Sequence, residues 1–200
     1  PYGKVRDLGE AQRLVERVTE MAPGFAPAWN RLATIHGRRL IFRDPGYEYG
    51  PDESLRIAMH AVDRALAIDP YDGDAYANLA GAAWVFEQDI RKASPLIEKA
   101  LELEPWNLDF VSFAADFAKH IGRLEEALEL EEVLISRDPL CDTCRGNLAS
   151  SYVYAGRYDD AEKQFRTLQT MHGGHFFEVG VVLLLKRQPQ QALEEFGRLE

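Results

Sequence analysis

One alanine recurs through this chain at a nearly constant interval. Ala11, Ala58, Ala93, Ala127, Ala161 and Ala192 are separated by 47, 35, 34, 34 and 31 residues, and in most cases a large apolar residue stands four positions later. Four prolines keep the same drifting period, with Pro23, Pro70, Pro105 and Pro139 spaced by 47, 35 and 34. Three of them close phrases of one kind, ALAIDP, ALELEP and VLISRDP. Two independent markers in step define a tandem array, in which each short unit buries its apolar face only against its neighbours. Proline cannot continue a helix and pushes the preceding residue out of α geometry, so each phrase reads as a helix end.

Within one period the apolar spacing is helical. In CDTCRGNLASSYVYAGRYDDAEKQFRTLQTMHG (141–173), Leu148 and Tyr152 lie one turn apart with the small Ala149 between them. Gly156-Arg157-Tyr158 interrupts the pattern, and Ala161, Phe165 and Leu168 resume it. Two helical periods across a glycine turn make an αα-hairpin. The order large–small–large, turn, small–large resembles the tetratricopeptide repeat, with Arg145 standing where that family usually has an aromatic and Gly173 where it usually has a proline. The resemblance implies an all-α fold, a right-handed superhelical solenoid of helix-turn-helix repeats.

The register divides 1–200 as a single solenoid: a lone second helix at 7–22, then repeats at 26–70, 73–105, 108–139, 142–172 and 173–200. Both ends look cut, which points to a fragment of a longer protein. Ser94-Pro95 is the expected start of the second helix of its repeat, as a cap followed by proline in the first turn. The first full repeat is 13 residues too long, and the excess lies between His36 and Ser54, the 37–53 insertion. Leu40, Ile41 and Phe42 can prolong its first helix, after which Asp44-Pro45-Gly46 and Gly50-Pro51-Asp52 turn the chain. Tyr47 and Tyr49 sit at the tip, beside a basic cluster of Arg38, Arg39 and Arg43. They either cover Leu40 and Phe42 or form a projecting lip that meets a partner.

Charge and composition narrow the function classes. The formal net charge of −10 disfavours a general nucleic-acid surface or an anionic membrane as partner, because phosphate binding needs a basic footprint. The longest aliphatic run, 181–185, is too short to span a bilayer. Two cysteines cannot make a disulfide framework, and with no signal-peptide pattern they suggest a reducing, cytoplasmic setting. No catalytic constellation or glycine-rich phosphate loop is visible, so the expectation is a non-enzyme without cofactor. Glu125-Glu126 and Glu131-Glu132 read as solvated helix faces, and His36, in a signature aromatic place, as a packing residue.

In tetratricopeptide arrays the first helices line a concave groove, so the resemblance implies a protein or peptide partner there. By register the groove side takes Asn30, Arg31, Thr34 and Arg38, then Asn78 and Trp84, then Phe113, Asp116, Lys119 and His120. Asn147, Ser150 and Tyr154 continue it, and Glu178 and Leu185 end it. Asn78 and Asn147 share a register where family members often hydrogen-bond a ligand backbone; the competing reading is that they bond within the repeat or face water. Trp84 and Phe113 are either packing residues or interface anchors. Cys141-x-x-Cys144 and His172-x-x-His175 form one zinc-like set, weighed against ordinary loop residues. The reading is a protein-interaction scaffold. The alternative is the accessory segment of a multidomain enzyme or transcription regulator whose catalytic or DNA-binding domain lies outside the chain. Uncapped repeat ends leave self-association open.

Overall fold

The computed structural model describes residues 6–42 and 49–199, and among them there are helices and turns but no strand. The chain divides into two compact units, Pro1–Trp106 and Asn107–Glu200. The first contains α1 (Arg6–Met21), α2 (Ala26–Phe42), α3 (Pro51–Ile68), α4 (Gly73–Gly81) and α5 (Ile90–Leu103). The second contains α6 (Leu108–His120), α7 (Leu124–Arg137), α8 (Asp142–Tyr154), α9 (Tyr158–His172), α10 (Phe176–Leu185) and α11 (Pro189–Phe196). Sequential helices pair as hairpins: α2 with α3, α4 with α5, α6 with α7, α8 with α9, and α10 with α11. The fold class is the all-α helical-repeat architecture that the period implies.

The recurring alanines lie at the centre of each hairpin. Ala93, Ala127, Ala161 and Ala192 are all fully buried, and Ala58 nearly so. In the first unit Leu32, Ala33, Ala61, Val62, Ala65 and Ala75 make a common core. In the second, Leu128, Leu148, Tyr152, Phe165, Leu168, Val179, Val182 and Leu183 do. Small residues in the signature place let helices approach closely. At Gly180 the approach is so close that a Cβ would collide with the Phe196 ring on α11.

A second repeated device joins three of the hairpins to the turn before them. The side chain six residues after the phrase-ending proline donates to that proline's carbonyl: Trp29 Nε1 to Pro23 O at 3.0 Å, Tyr76 Oη to Pro70 O at 3.2 Å, Arg145 Nη2 to Pro139 O at 2.9 Å. Arg145 substitutes for the usual aromatic by supplying a long side chain with a donor at its tip. Pro105 is followed at the same distance by Val111, which has no donor and is simply buried. In the turns themselves, Asp69 Oδ1 accepts from Tyr71 N and Asp138 Oδ1 from Leu140 N, the local bonds that favour aspartate before proline. Asp72, Asp89 and Asn107 cap α4, α5 and α6 through their side chains.

Four of the first helices end in a left-handed residue. Gly122 (φ 83°) and Gly156 (φ 72°) end α6 and α8, with Arg123 N bonding to Ala118 O and Arg157 N to Tyr152 O, both at 2.8 Å. Gln88 (φ 55°) and Arg187 (φ 60°) hold the same place without being glycine. Between α4 and α5 the chain runs through a π-helical turn, Ala82–Phe86, and Asp89 N reaches back six residues to Ala83 O instead of five. This turn absorbs the one surplus residue in the interval of 35 between Ala58 and Ala93.

Two expectations need correction here. α5 begins at Ile90, one turn before Ser94-Pro95, because the Asp89 carboxylate already caps it by accepting from Lys92 N at 3.0 Å. Pro95 lies inside the helix, on its exposed side, where water can reach the carbonyl left without a donor. Glu131 is not on a solvated face; it is 1% exposed. It stands four residues after Ala127, the place where the other repeats carry a large apolar side chain, and so shares a stripe with Leu128 and Leu134. The tip of the insertion, 43–48 with Arg43, Asp44, Pro45, Gly46 and Tyr47, lies outside the described residues. Tyr49 is within them, its ring 5.9 Å from that of His36.

Candidate functional site

The first helices of the second unit frame an apolar cleft. Ser150, Val153 and Tyr154 come from the last turns of α8, Phe177, Glu178, Val181 and Val182 from α10, and Phe165 of α9 closes the floor. The cavity is about 180 Å³, room for one or two large apolar side chains. Its rim is open: Tyr154 is 68% and Phe177 58% exposed. The Phe177 ring lies 6.0 Å from that of Phe196, which fixes its position from α11. Ser150 Oγ donates to Gly146 O at 2.9 Å, so the wall it presents is an acceptor. Glu178 provides the charge on the rim, 3.7 Å from His175 Nδ1.

α10 is held at the back of the cleft by charges. Lys186 Nζ contacts Glu162 at 2.7 Å and Asp159 at 2.6 Å, and Arg166 bridges Glu162 at 2.7 Å and Glu195 at 3.1 Å. Burial acts against the Glu195 carboxylate, yet Gln169 and Arg166 hold its pKa below the ordinary value. Burial likewise opposes Glu162, and Lys186 and Arg166 win in the same direction. The pairing fixes the angle at which Phe177 and Val181 face α8.

The remaining residues of the inferred groove have different surroundings. Asn30 is buried and donates to Asp72 Oδ2 at 2.7 Å. Thr34 Oγ1 donates to Asn78 Oδ1 at 3.1 Å, and Asn78 Nδ2 donates to Asn30 O at 3.3 Å. These bonds fasten α4 to α2 of the preceding repeat, a use of Asn78 between repeats that neither the ligand reading nor the within-repeat reading names. Arg31 and Arg38 are exposed on α2, and Trp84 is half-buried in the π-helical turn. In the second unit Phe113 is half-buried, and Lys119 lies 3.4 Å from both Asp116 and Glu131. His120 Nδ1 is 2.7 Å from Asp116 O. Burial raises the Glu131 pKa, against the pull of Ser151 and Lys119. Asn147 is half-buried and makes no side-chain hydrogen bond to a described residue. Leu185 is exposed beyond the cleft.

The zinc-like set does not converge. Cys141 and Cys144 are joined by a disulfide, a pairing that neither the zinc-like reading nor the loop-residue reading includes. Three residues apart at a helix start, their Cα atoms are 5.3 Å apart, inside the range a disulfide spans. His172 Nε2 pairs instead with Asp142 Oδ1 at 2.6 Å. Among the described residues, no group of His, Cys, Asp and Glu is placed to hold a metal ion.

Of the cleft, register reasoning names Ser150, Tyr154 and Glu178 but misses Val153, Phe165, Phe177, Val181 and Val182. The signal for Phe177 is the Phe176-Phe177 doublet at a helix start, since two consecutive large side chains cannot both face one core.

The sequence model of the bacterial transcriptional activator domain matches residues 50–172, well over half of the chain. A tetratricopeptide-repeat model matches residues 147–200. No curated protein sequence matches. Among solved structures, the type IV pilus biogenesis factor PilW superposes with a TM-score of 0.75 at 16% identity, over 97% of this chain and 85% of that one. MamA from Desulfovibrio magneticus RS-1 gives 0.66 at 15% identity, covering 85% of this chain and 92% of its own. YrrB, described as a TPR protein with an unusual peptide-binding site, gives 0.62 at 18% identity, covering 90% and 88%. At these identities the likeness is one of fold.

Proposed function

The chain belongs to the bacterial transcriptional activator domain family, and from that premise we propose that it is the protein-interaction module of a transcription regulator. Its partner is a protein or peptide segment, not nucleic acid or membrane, and its setting is cytoplasmic. The observation that carries this reading is the α8–α10 cleft, where Tyr154 and Phe177 stay exposed beside a preformed apolar cavity. Large aromatics that fold without being covered are the side chains that dominate interfaces. The peptide-binding site named for YrrB supports the same use of this fold. In this reading 1–200 act as one repeat array, DNA contact lies with another part of the regulator, and Ser150, Tyr154 and Asn147 are the groove residues that meet the partner. Asn147 has its amide available for a partner's backbone, whereas Asn78 holds α4 to α2.

A peptide-display selection on the full chain tests this. Sequences with one large aliphatic or aromatic anchor should be enriched, and the enrichment should vanish on a Tyr154→Ala/Phe177→Ala double variant. Enrichment that survives the double variant would place the interaction elsewhere.

A further inference from the structure

The pair Cys141–Cys144 has a place in the fold that packing does not demand. Both residues are half-exposed, and neither belongs to the core of the second unit. Cys141 is the N-cap of α8, and its Sγ accepts the Cys144 backbone N–H at 3.2 Å. Its own N–H donates to Asp138 O at 3.2 Å, so the turn from α7 holds Cys141 with or without the S–S bond. The groups around the pair are also tied. Arg145 is committed to Gln164 and Pro139, and Asp142 to His172. A disulfide that spans only two intervening residues closes too small a loop to stabilise the fold much through chain entropy. Opening it leaves the hairpin's other bonds in place.

We infer that Cys141-Asp-Thr-Cys144 is a thiol–disulfide exchange site, with Cys141 the attacking sulfur and Cys144 the resolving one, acting on low-molecular-weight or protein disulfides. The inference is independent of the cleft and of its partner. Cys141 Sγ caps the N-terminus of α8 and accepts the Cys144 N–H, a place that favours a thiolate in the reduced chain. It bonds to one sulfur of the incoming disulfide, whose S–S bond breaks, and the departing thiolate takes up a proton. Cys144, deprotonated, then attacks Sγ of Cys141, and the second half of the co-reactant leaves as its thiol. The net change oxidises two cysteine thiols to one disulfide and reduces one disulfide to two thiols. Run in reverse, a reductant thiolate attacks Sγ of Cys141, and Cys144 departs as a thiolate that takes up a proton. A second reductant thiolate then attacks the reductant's sulfur in the mixed disulfide, and Cys141 departs as the stabilised thiolate.

Reduced full-length chain, exposed to glutathione disulfide and quenched with an alkylating reagent, gives the test by intact mass. The expected product is an intramolecular disulfide with no lasting glutathione adduct. Cys144→Ser should trap a mixed disulfide at Cys141, forming about tenfold faster than the adduct on Cys141→Ser. Should either variant lose its helices by circular dichroism, sub-stoichiometric alkylation of the reduced wild type with peptide mapping replaces it, and Cys141 should be labelled first. A stable double adduct on the wild type would overturn the inference. So would equal labelling of the two sulfurs.

Discussion

Two faces built by the same repeat have opposite characters. In the first unit, α2 and α4 are stitched together by Asn30, Asp72, Thr34 and Asn78, and polar groups that could meet a ligand meet each other. In the second unit, α8 and α10 leave an apolar cleft between Tyr154 and Phe177, and the asparagine in the same register, Asn147, bonds to no described residue. Register alone assigns both faces to a groove. Which face can receive a partner depends on whether the polar atoms are already satisfied.

The two units also bury different ionisable groups, and acid should separate them. His36 is fully buried, and burial, with Arg39 adding to it, lowers its pKa to about 4. The unfolded chain takes up the proton first, so the stabilisation is complete above the unfolded value near 6.5 and is lost as pH falls toward 4. The first unit should lose about 3 kcal/mol over that window, measured by denaturant titration, and His36→Phe should remove the slope. Glu131 works the other way. Its raised pKa means the buried carboxylate is least costly when protonated, so its penalty grows as pH rises through the native value. Glu131→Gln should flatten that trend in the second unit.

Packing changes come next in size. Ala161 is fully buried where α9 meets α8, and Ala161→Leu should cost about 1–3 kcal/mol in an equilibrium melt. A neutral result would place Ala161 on another face. Asn30→Ala removes a buried side chain and leaves Asp72 Oδ2 without its donor, and should cost about 1–3 kcal/mol, whereas Asn147→Ala should stay within about 0.5 kcal/mol. Equal costs would erase the distinction between the two faces. The smallest effect is a gain: Gln88→Gly, at a left-handed position, should stabilise by about 0.5–1 kcal/mol.

Helix positions were legible in the sequence because two punctuation marks, alanine and proline, kept one period, and the bonds from Trp29, Tyr76 and Arg145 to the preceding prolines show why the period holds. The surplus residue in the second full repeat was countable, but a π-helical turn and a longer loop absorb one residue equally well, so its location was not. Glu131 was misread because adjacent glutamates look solvated as a pair, although its spacing from Ala127 placed it on the buried stripe. The cleft was half legible. Ser150 and Tyr154 follow from register, but Phe177 and Val181 depend on how α10 sits, and that is set by ion pairs among Lys186, Glu162, Arg166 and Glu195. Two of these pairs, Lys186–Glu162 and Arg166–Glu195, join residues 24 and 29 apart, which no local period records.

Calorimetric titration of one display-selected peptide against two double variants tests the central claim most directly. Tyr154→Ala/Phe177→Ala should weaken binding by about tenfold or more, a loss of at least about 1.4 kcal/mol, while Arg31→Ala/Asn78→Ala leaves it within about twofold. Binding that survives the first pair and fails with the second would put the partner on the α2–α4 face and contradict the account.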